Sequence, residues 1–81
     1  MAERETMAYI ELGQHSISFV EFKVFQNNEQ CGTIYYFYDM EKYNTEVMHT
    51  GEMPELIKTN IDYINDIAKK VMKANIISKK Y

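Results

Sequence analysis

Residues 31–39 read Cys31-Gly32-Thr33-Ile34-Tyr35-Tyr36-Phe37-Tyr38-Asp39. Aromatic and β-branched side chains fit a pleated sheet, so this segment reads as a strand. Its Ile34–Tyr38 run has no polar face. In an antiparallel sheet with one wet side, the strands should alternate apolar and polar. A central strand that is apolar on both sides therefore asks for cover on both sides.

Working outward, residues 7–12 and 15–25 are extended, and Gly13-Gln14 between them suits a two-residue hairpin turn. Val20, Phe22 and Val24 alternate with Glu21 and Lys23, while Ile17 and Phe19 fall on the opposite parity. That break predicts a bulge or strong twist near Phe19–Val20. Residues 26–30 form a polar loop in which Asn27 and Asn28 can take unusual backbone angles. Beyond Asp39, residues 41–44 turn the chain and 45–50 make a short fourth strand.

The back of the chain is helical. Ile57, Ile61, Ile64, Ala68 and Val71 recur at 4-3-4-3 spacing, flanked by Leu56, Tyr63, Ile67 and Met72. Pro54 suits the first turn, and Glu52 and Glu55 suit the positive end of the helix dipole. The pattern predicts a helix over about residues 53–75. Asn75 falls in the middle of the apolar face and Ile77 opposite it, so 76–81 are expected to be a frayed end or tail. The spacing also fits a heptad seam, but too few clean heptads and the flanking apolar residues favour a helix lying on its own sheet. The expected fold is α+β, a four-stranded antiparallel meander followed by one amphipathic helix, ββββα, in a single domain spanning 1–81.

Composition narrows the function classes. The chain has 81 residues, 46% of them hydrophobic, with three Gly, one Pro and one Cys. A linker or disordered segment is disfavoured, and an intrachain disulfide framework is impossible. No secretory leader or apolar span is visible, so the expected location is the cytoplasm, with no membrane partner. So small a domain buries only about 60–65% of its unfolded surface. With neither disulfide nor metal to help, a second copy or a partner is the expected route to stability and to a covered second face.

Enzymatic chemistry finds little footing. His15, His49 and Cys31 lack metal-ligand spacing, and a lone Cys in a strand is usually a small hydrophobe. Asp39 with Glu41 and Glu52 with Glu55 sit at turns or a helix start, where they suit capping. No P-loop, GxGxxG, GxSxG or HExxH is present. A sheet with one helix is also expected to offer little concavity for a pocket of several hundred cubic ångströms. No catalytic residue, metal or cofactor is predicted.

Charge is divided along the chain. Residues 1–66 carry all twelve acids against four bases, and 67–81 carry five lysines and no acid. An acidic sheet favours docking on a basic surface over wrapping a phosphate backbone. The expected function is a non-enzymatic protein-binding module or inhibitor, a homodimer that occupies a surface of an unidentified protein. Its candidate contacts are Phe19, Tyr35, Tyr36, Phe37 and Tyr38, with Glu21, Asp39, Glu41 and Glu46 steering; whether Tyr36 and Tyr38 or Tyr35 and Phe37 lead depends on which parity the helix covers. The alternative is a single-stranded nucleic-acid binder that stacks bases on the sheet aromatics and holds phosphates with Lys69, Lys70, Lys73, Lys79 and Lys80.

The element order resembles that of a family of single-stranded-DNA-binding coactivators whose ββββα subunits pair into dimers. The basic sheet residues which that resemblance implies are not found, since the strands carry Glu11, Glu21 and Glu46 beside a single Lys23. Size, mild acidity and absent chemistry are also similar to those of small phage or mobile-element proteins that block a host machine.

Overall fold

The computed structural model describes residues 7–39 and 41–80, with side chains through Ile76. Four strands, β1 (Ala8–His15), β2 (Phe19–Gln26), β3 (Glu29–Asp39) and β4 (Asn44–Gly51), form an antiparallel sheet in the order β1-β2-β3-β4. Two helices follow, α1 (Glu55–Thr59) and α2 (Ile61–Lys80). The expected α+β meander with a C-terminal helix on the sheet is the observed architecture.

Local chemistry sets each turn. Gln26 pairs with Glu29, so the β2–β3 loop shrinks from five polar residues to Asn27-Asn28, whose φ angles are 55° and 68°. Two positive φ angles make a type I′ turn, and Asn is among the few residues that enter it readily. At the β3–β4 turn, Asp39 Oδ1 accepts the N–H groups of Glu41 and Lys42 at 2.9 and 3.2 Å. Tyr43 then closes the turn with φ 55°.

Gly13-Gln14 is not the hairpin turn. Ser16, Ile17 and Ser18 turn the chain instead, and the Ser16 N–H donates to the Phe19 carbonyl at 2.7 Å. Gly13 and Gln14 form a bulge between the pairs Leu12–Phe22 and His15–Val20. Gln14 N–H donates to Glu21 Oε1 at 2.9 Å, and a side chain at position 13 would collide with that carboxylate. The irregularity expected near Phe19–Val20 therefore lies on the partner strand. The bulge has a consequence for His15. An unbroken strand would place it on the side of Tyr9 and Glu11, whereas the extra residue turns it toward the helix. There Asn75 Nδ2 lies 2.8 Å from His15 Nδ1 and also donates to the Val71 carbonyl at 3.0 Å. That contact explains a polar residue in the apolar stripe. A second bulge, between Val24 and Phe25, leaves Cys31 as the extra residue of β3.

The expected single helix is broken at Asn60, whose Nδ2 donates to the Leu56 carbonyl at 2.8 Å. Thr59 Oγ1 bonds the Glu55 carbonyl at 2.9 Å, so two consecutive side chains compete for backbone acceptors at the break. Pro54 stands just before the first turn, as its N-cap. The backbone of α2 stays helical through Lys80, past the end expected at 75. Tyr81 lies outside the described residues.

Ile57, Ile64, Ala68 and Met72 pack on Val20, Phe22, Val24, Ile34 and Tyr36 to make the core. Met72, not Val71, is the fully buried residue of the last contacting turn, because a straight helix drifts away from a strict 4-3 repeat. Tyr36 is only 1% exposed and meets Phe22 edge-on, with ring centroids 6.0 Å apart. Its hydroxyl has no hydrogen-bond partner among the described residues. Burial, and secondarily the Asp62 carboxylate, push its pKa up to about 12.

An orphaned buried hydroxyl costs stability, so Tyr36→Phe should raise the unfolding free energy by about 1 kcal/mol in denaturant titrations at neutral pH. The raised folded-state pKa means that the neutral form is bound more tightly in the native protein. Its stabilising contribution is complete below pH 10 and is lost as pH rises through about 12. Wild type should therefore lose more stability than Tyr36→Phe across that interval, and equal losses would contradict the burial assigned to this ring.

Candidate functional site

The core fills one side of the sheet only. Register places Tyr9, Glu11, Phe19, Glu21, Lys23, Phe25, Tyr35, Phe37, Glu46 and Met48 on the opposite side, away from α2. Among the described residues no element lies over this face.

Its most apolar part is a stack at the β2–β3–β4 end. The Phe19 ring lies 6.1 Å from Tyr35 and 5.3 Å from Phe37, and Tyr35 lies 6.3 Å from Phe37. These separations are typical of interacting aromatic rings. Phe37 remains 39% exposed and Met48, opposite Tyr35, 54% exposed. A second pair, Tyr9 and Phe25, stacks nearly parallel at 5.1 Å in the opposite corner. Between the two clusters run Glu21 and the cross-strand pair Glu11–Lys23. Glu46, opposite Phe37, borders the stack and bonds Lys42 Nζ at 3.4 Å.

The predicted contact residues divide by parity. Phe19, Tyr35, Phe37, Glu21 and Glu46 share the helix-free face. Tyr36 is in the core, and Tyr38 is half-buried on the helix side, packed against the core. Neither is available to a partner on the open face, because beyond the Cys31 bulge the even-numbered residues of β3 point at α2. Asp39 is committed to the turn described above, and Glu41 is exposed within it. Met48 and Phe25 were missed, and Tyr9, which the sequence places on a second apolar side, was not counted among the contacts. For Met48 the signal is cross-strand register, which needs the turn between β3 and β4 placed to the residue. For Tyr9 and Phe25 it is the shared parity with Glu11 and Lys23.

The lysines occupy the other side of the molecule. Lys69, Lys70 and Lys73 are exposed on α2, and the side chains of Lys79 and Lys80 lie outside the described residues. Contrary to the expectation of little concavity, a groove of about 650 Å³ runs between α2 and the β3–β4 hairpin. Ile17, Tyr38, Tyr43 and Met72 line it, with Lys69 and Lys73 at one wall. Among the described residues, no carboxylate, histidine or cysteine lines it.

Elsewhere, Cys31 Sγ is half-buried and 3.7 Å from the Glu52 carbonyl. No group of three or more His, Cys, Asp or Glu capable of holding a metal comes together among the described residues. None of the described helices is long and apolar enough to cross a membrane. No protein-family model, curated protein or solved structure matches the chain.

Proposed function

We propose that the protein is a small non-enzymatic binding module, acting in the cytoplasm as an inhibitor that occupies a surface of a partner protein. The observation that carries this reading is the helix-free face: a stack of Phe19, Tyr35 and Phe37 with Met48, half open to solvent and bordered by Glu21 and Glu46. Rigid aromatic side chains contribute contact area at low entropic cost and dominate binding where they can be fully desolvated. An acidic border around an apolar centre fits a partner with the reverse layout, an apolar patch ringed by Lys and Arg. A nucleic-acid-binding groove on an enzyme has that ring, and occluding it would inhibit. The size and charge suit a phage or mobile-element protein of that type.

Affinity chromatography from the encoding organism tests this when run in parallel with two variants. Wild type and Lys73→Glu should retain the same basic protein, and Phe37→Asp should lose it. With the partner purified, Phe37→Ala should weaken binding by about 30-fold, as for an interface hot spot. Added salt should slow association far more than it speeds dissociation. Equal retention by wild type and Phe37→Asp would sink the assignment of this face.

Single-stranded nucleic-acid binding is the alternative, and the groove favours it, because Tyr38 and Tyr43 there meet Lys69 and Lys73. The open-face aromatics and these lysines stand on opposite sides of the sheet, so one strand would have to use the groove alone. Fluorescence anisotropy with short labelled oligonucleotides at low salt separates the two functions. The protein-binding function predicts no association below about 100 µM, weaker than ordinary non-specific binding. Micromolar binding abolished by Lys69→Glu/Lys73→Glu would establish the alternative.

A further inference from the structure

The sheet has two edges, and they differ. β1 is interrupted by the Gly13-Gln14 bulge, and α1 packs against it. β4 is an eight-residue strand with β3 as its one strand neighbour among the described residues, and seven of its residues are exposed. It contains no Pro, no Lys and no bulge, and Glu46 is its only acid. Edge strands usually carry at least one such guard against pairing with another chain.

The direction of its free hydrogen-bonding groups follows from one bond. Glu52 N–H donates to the Cys31 carbonyl at 2.9 Å, flanking the Gly32–Gly51 pair. In an antiparallel ladder this makes Gly32–Gly51 a non-hydrogen-bonded pair, with bonded and non-bonded pairs alternating beyond it. Asn44, Glu46, Met48 and Thr50 therefore bond to β3, and Thr45, Val47 and His49 point their N–H and C=O groups outward. Those three residues are symmetric about Val47. Val47 is 55% exposed on the helix side of the sheet, beyond the reach of α2.

We propose that two copies of this chain pair through β4, antiparallel, about a two-fold axis at Val47, to form a continuous eight-stranded sheet. Thr45 would bond His49 of the second copy, and each Val47 would bond its counterpart. Neighbouring registers are worse. Centring on Glu46 sets that carboxylate directly against its copy, and like charges directly opposite each other are destabilising. Centring on Met48 draws in Gly51, whose φ of 77° leaves the extended region. Centring on His49 opposes Glu46 to Glu52 and shortens the overlap. The two-fold axis stands perpendicular to the sheet, so both helices lie on one side. Both aromatic faces lie on the other, joined across the axis through Met48 and Glu46. This pairing leaves the proposed partner surface open and does not depend on what that surface binds.

Light scattering over about 10–500 µM, a range suited to a small interface, should show the mass rising from 9.6 kDa toward twice that value. Val47→Lys places two cations at the axis and should hold the chain at the monomer mass. Val47→Pro removes an outward N–H without touching the β3–β4 ladder, and should do the same. Circular dichroism melts identify any variant that has failed to fold, and either folded variant suffices. Amide exchange supplies a pattern that no other interface would give. On concentrating the protein, the N–H groups of Thr45, Val47 and His49 should slow by about tenfold or more, while those of Glu46 and Met48 should be unchanged. A wild type that stays at 9.6 kDa throughout overturns the proposal. So does a dimer that both folded variants form equally well, or one in which the alternating protection is missing.

Discussion

The contact of α2 with the β2–β3 centre of the sheet governs the rest of the molecule. Ala68 has no exposed surface, and its small side chain brings the helix axis close to the strands between the larger Ile64 and Met72. The facing strand residues are Val20, Phe22, Val24, Ile34 and Tyr36, all of one parity. Because side chains alternate along a strand, seating these five inward fixes which residues of all four strands face outward. The same contact leaves two things uncovered. One helix is narrower than four strands, so Val47 on β4 and Leu12 on β1 stay exposed on the covered side. On the opposite face, no described element covers the aromatic stack.

Much of this was legible in the amino-acid pattern, and the failures have identifiable causes. The double-sided run Ile34–Tyr38 announced two apolar faces, and the alternation in β2 gave the parity of the core. The run could not say which of its own parities was inside, because Tyr and Phe suit both surroundings. That choice needed the register with β2, where Phe22 opposes Ile34. Gly13-Gln14 resembled a hairpin turn because Gly serves both purposes, and local sequence does not distinguish a bulge from a turn. What decides is the partner strand, where Glu21 offers its carboxylate to the Gln14 N–H. The helix break at Asn60 was missed because the apolar periodicity runs straight through it, while Thr59 and Asn60 act on backbone carbonyls, which periodicity does not register. The groove was missed for a different reason. It arises between elements apart in the chain, as the hairpin around Tyr43 stands off from the stretch of α2 between Asn65 and Ile76.

The position of Asn75 shows how these local events combine. A polar residue in the middle of an apolar helical stripe would ordinarily end the buried face. Here the bulge in β1 rotates His15 to the helix side and supplies a polar neighbour at 2.8 Å. The bulge at Gly13-Gln14, far earlier in the chain, thus gives Asn75 its polar neighbour. The expected end of the helical pattern at 75 was correct about composition but did not end the helix, because the stripe changes from apolar packing to hydrogen bonding there.

Charge completes the division between the two sides of the sheet. On the helix-free face, Glu11, Glu21 and Glu46 outnumber Lys23, and Lys42 pairs with Glu46 at the border. The exposed lysines Lys69, Lys70 and Lys73 gather on the middle turns of α2, on the other side of the sheet. In the proposed function, a cationic partner surface would be drawn to the helix-free face and turned away from the lysines of α2. That orientation precedes any contact and acts over about a Debye length, ~8 Å at physiological salt. The residues that would then be desolvated are Phe19, Tyr35, Phe37 and Met48, which no part of the described chain covers. The electrostatic and apolar features of this face thus favour the same approach, though they come from different residues on different strands.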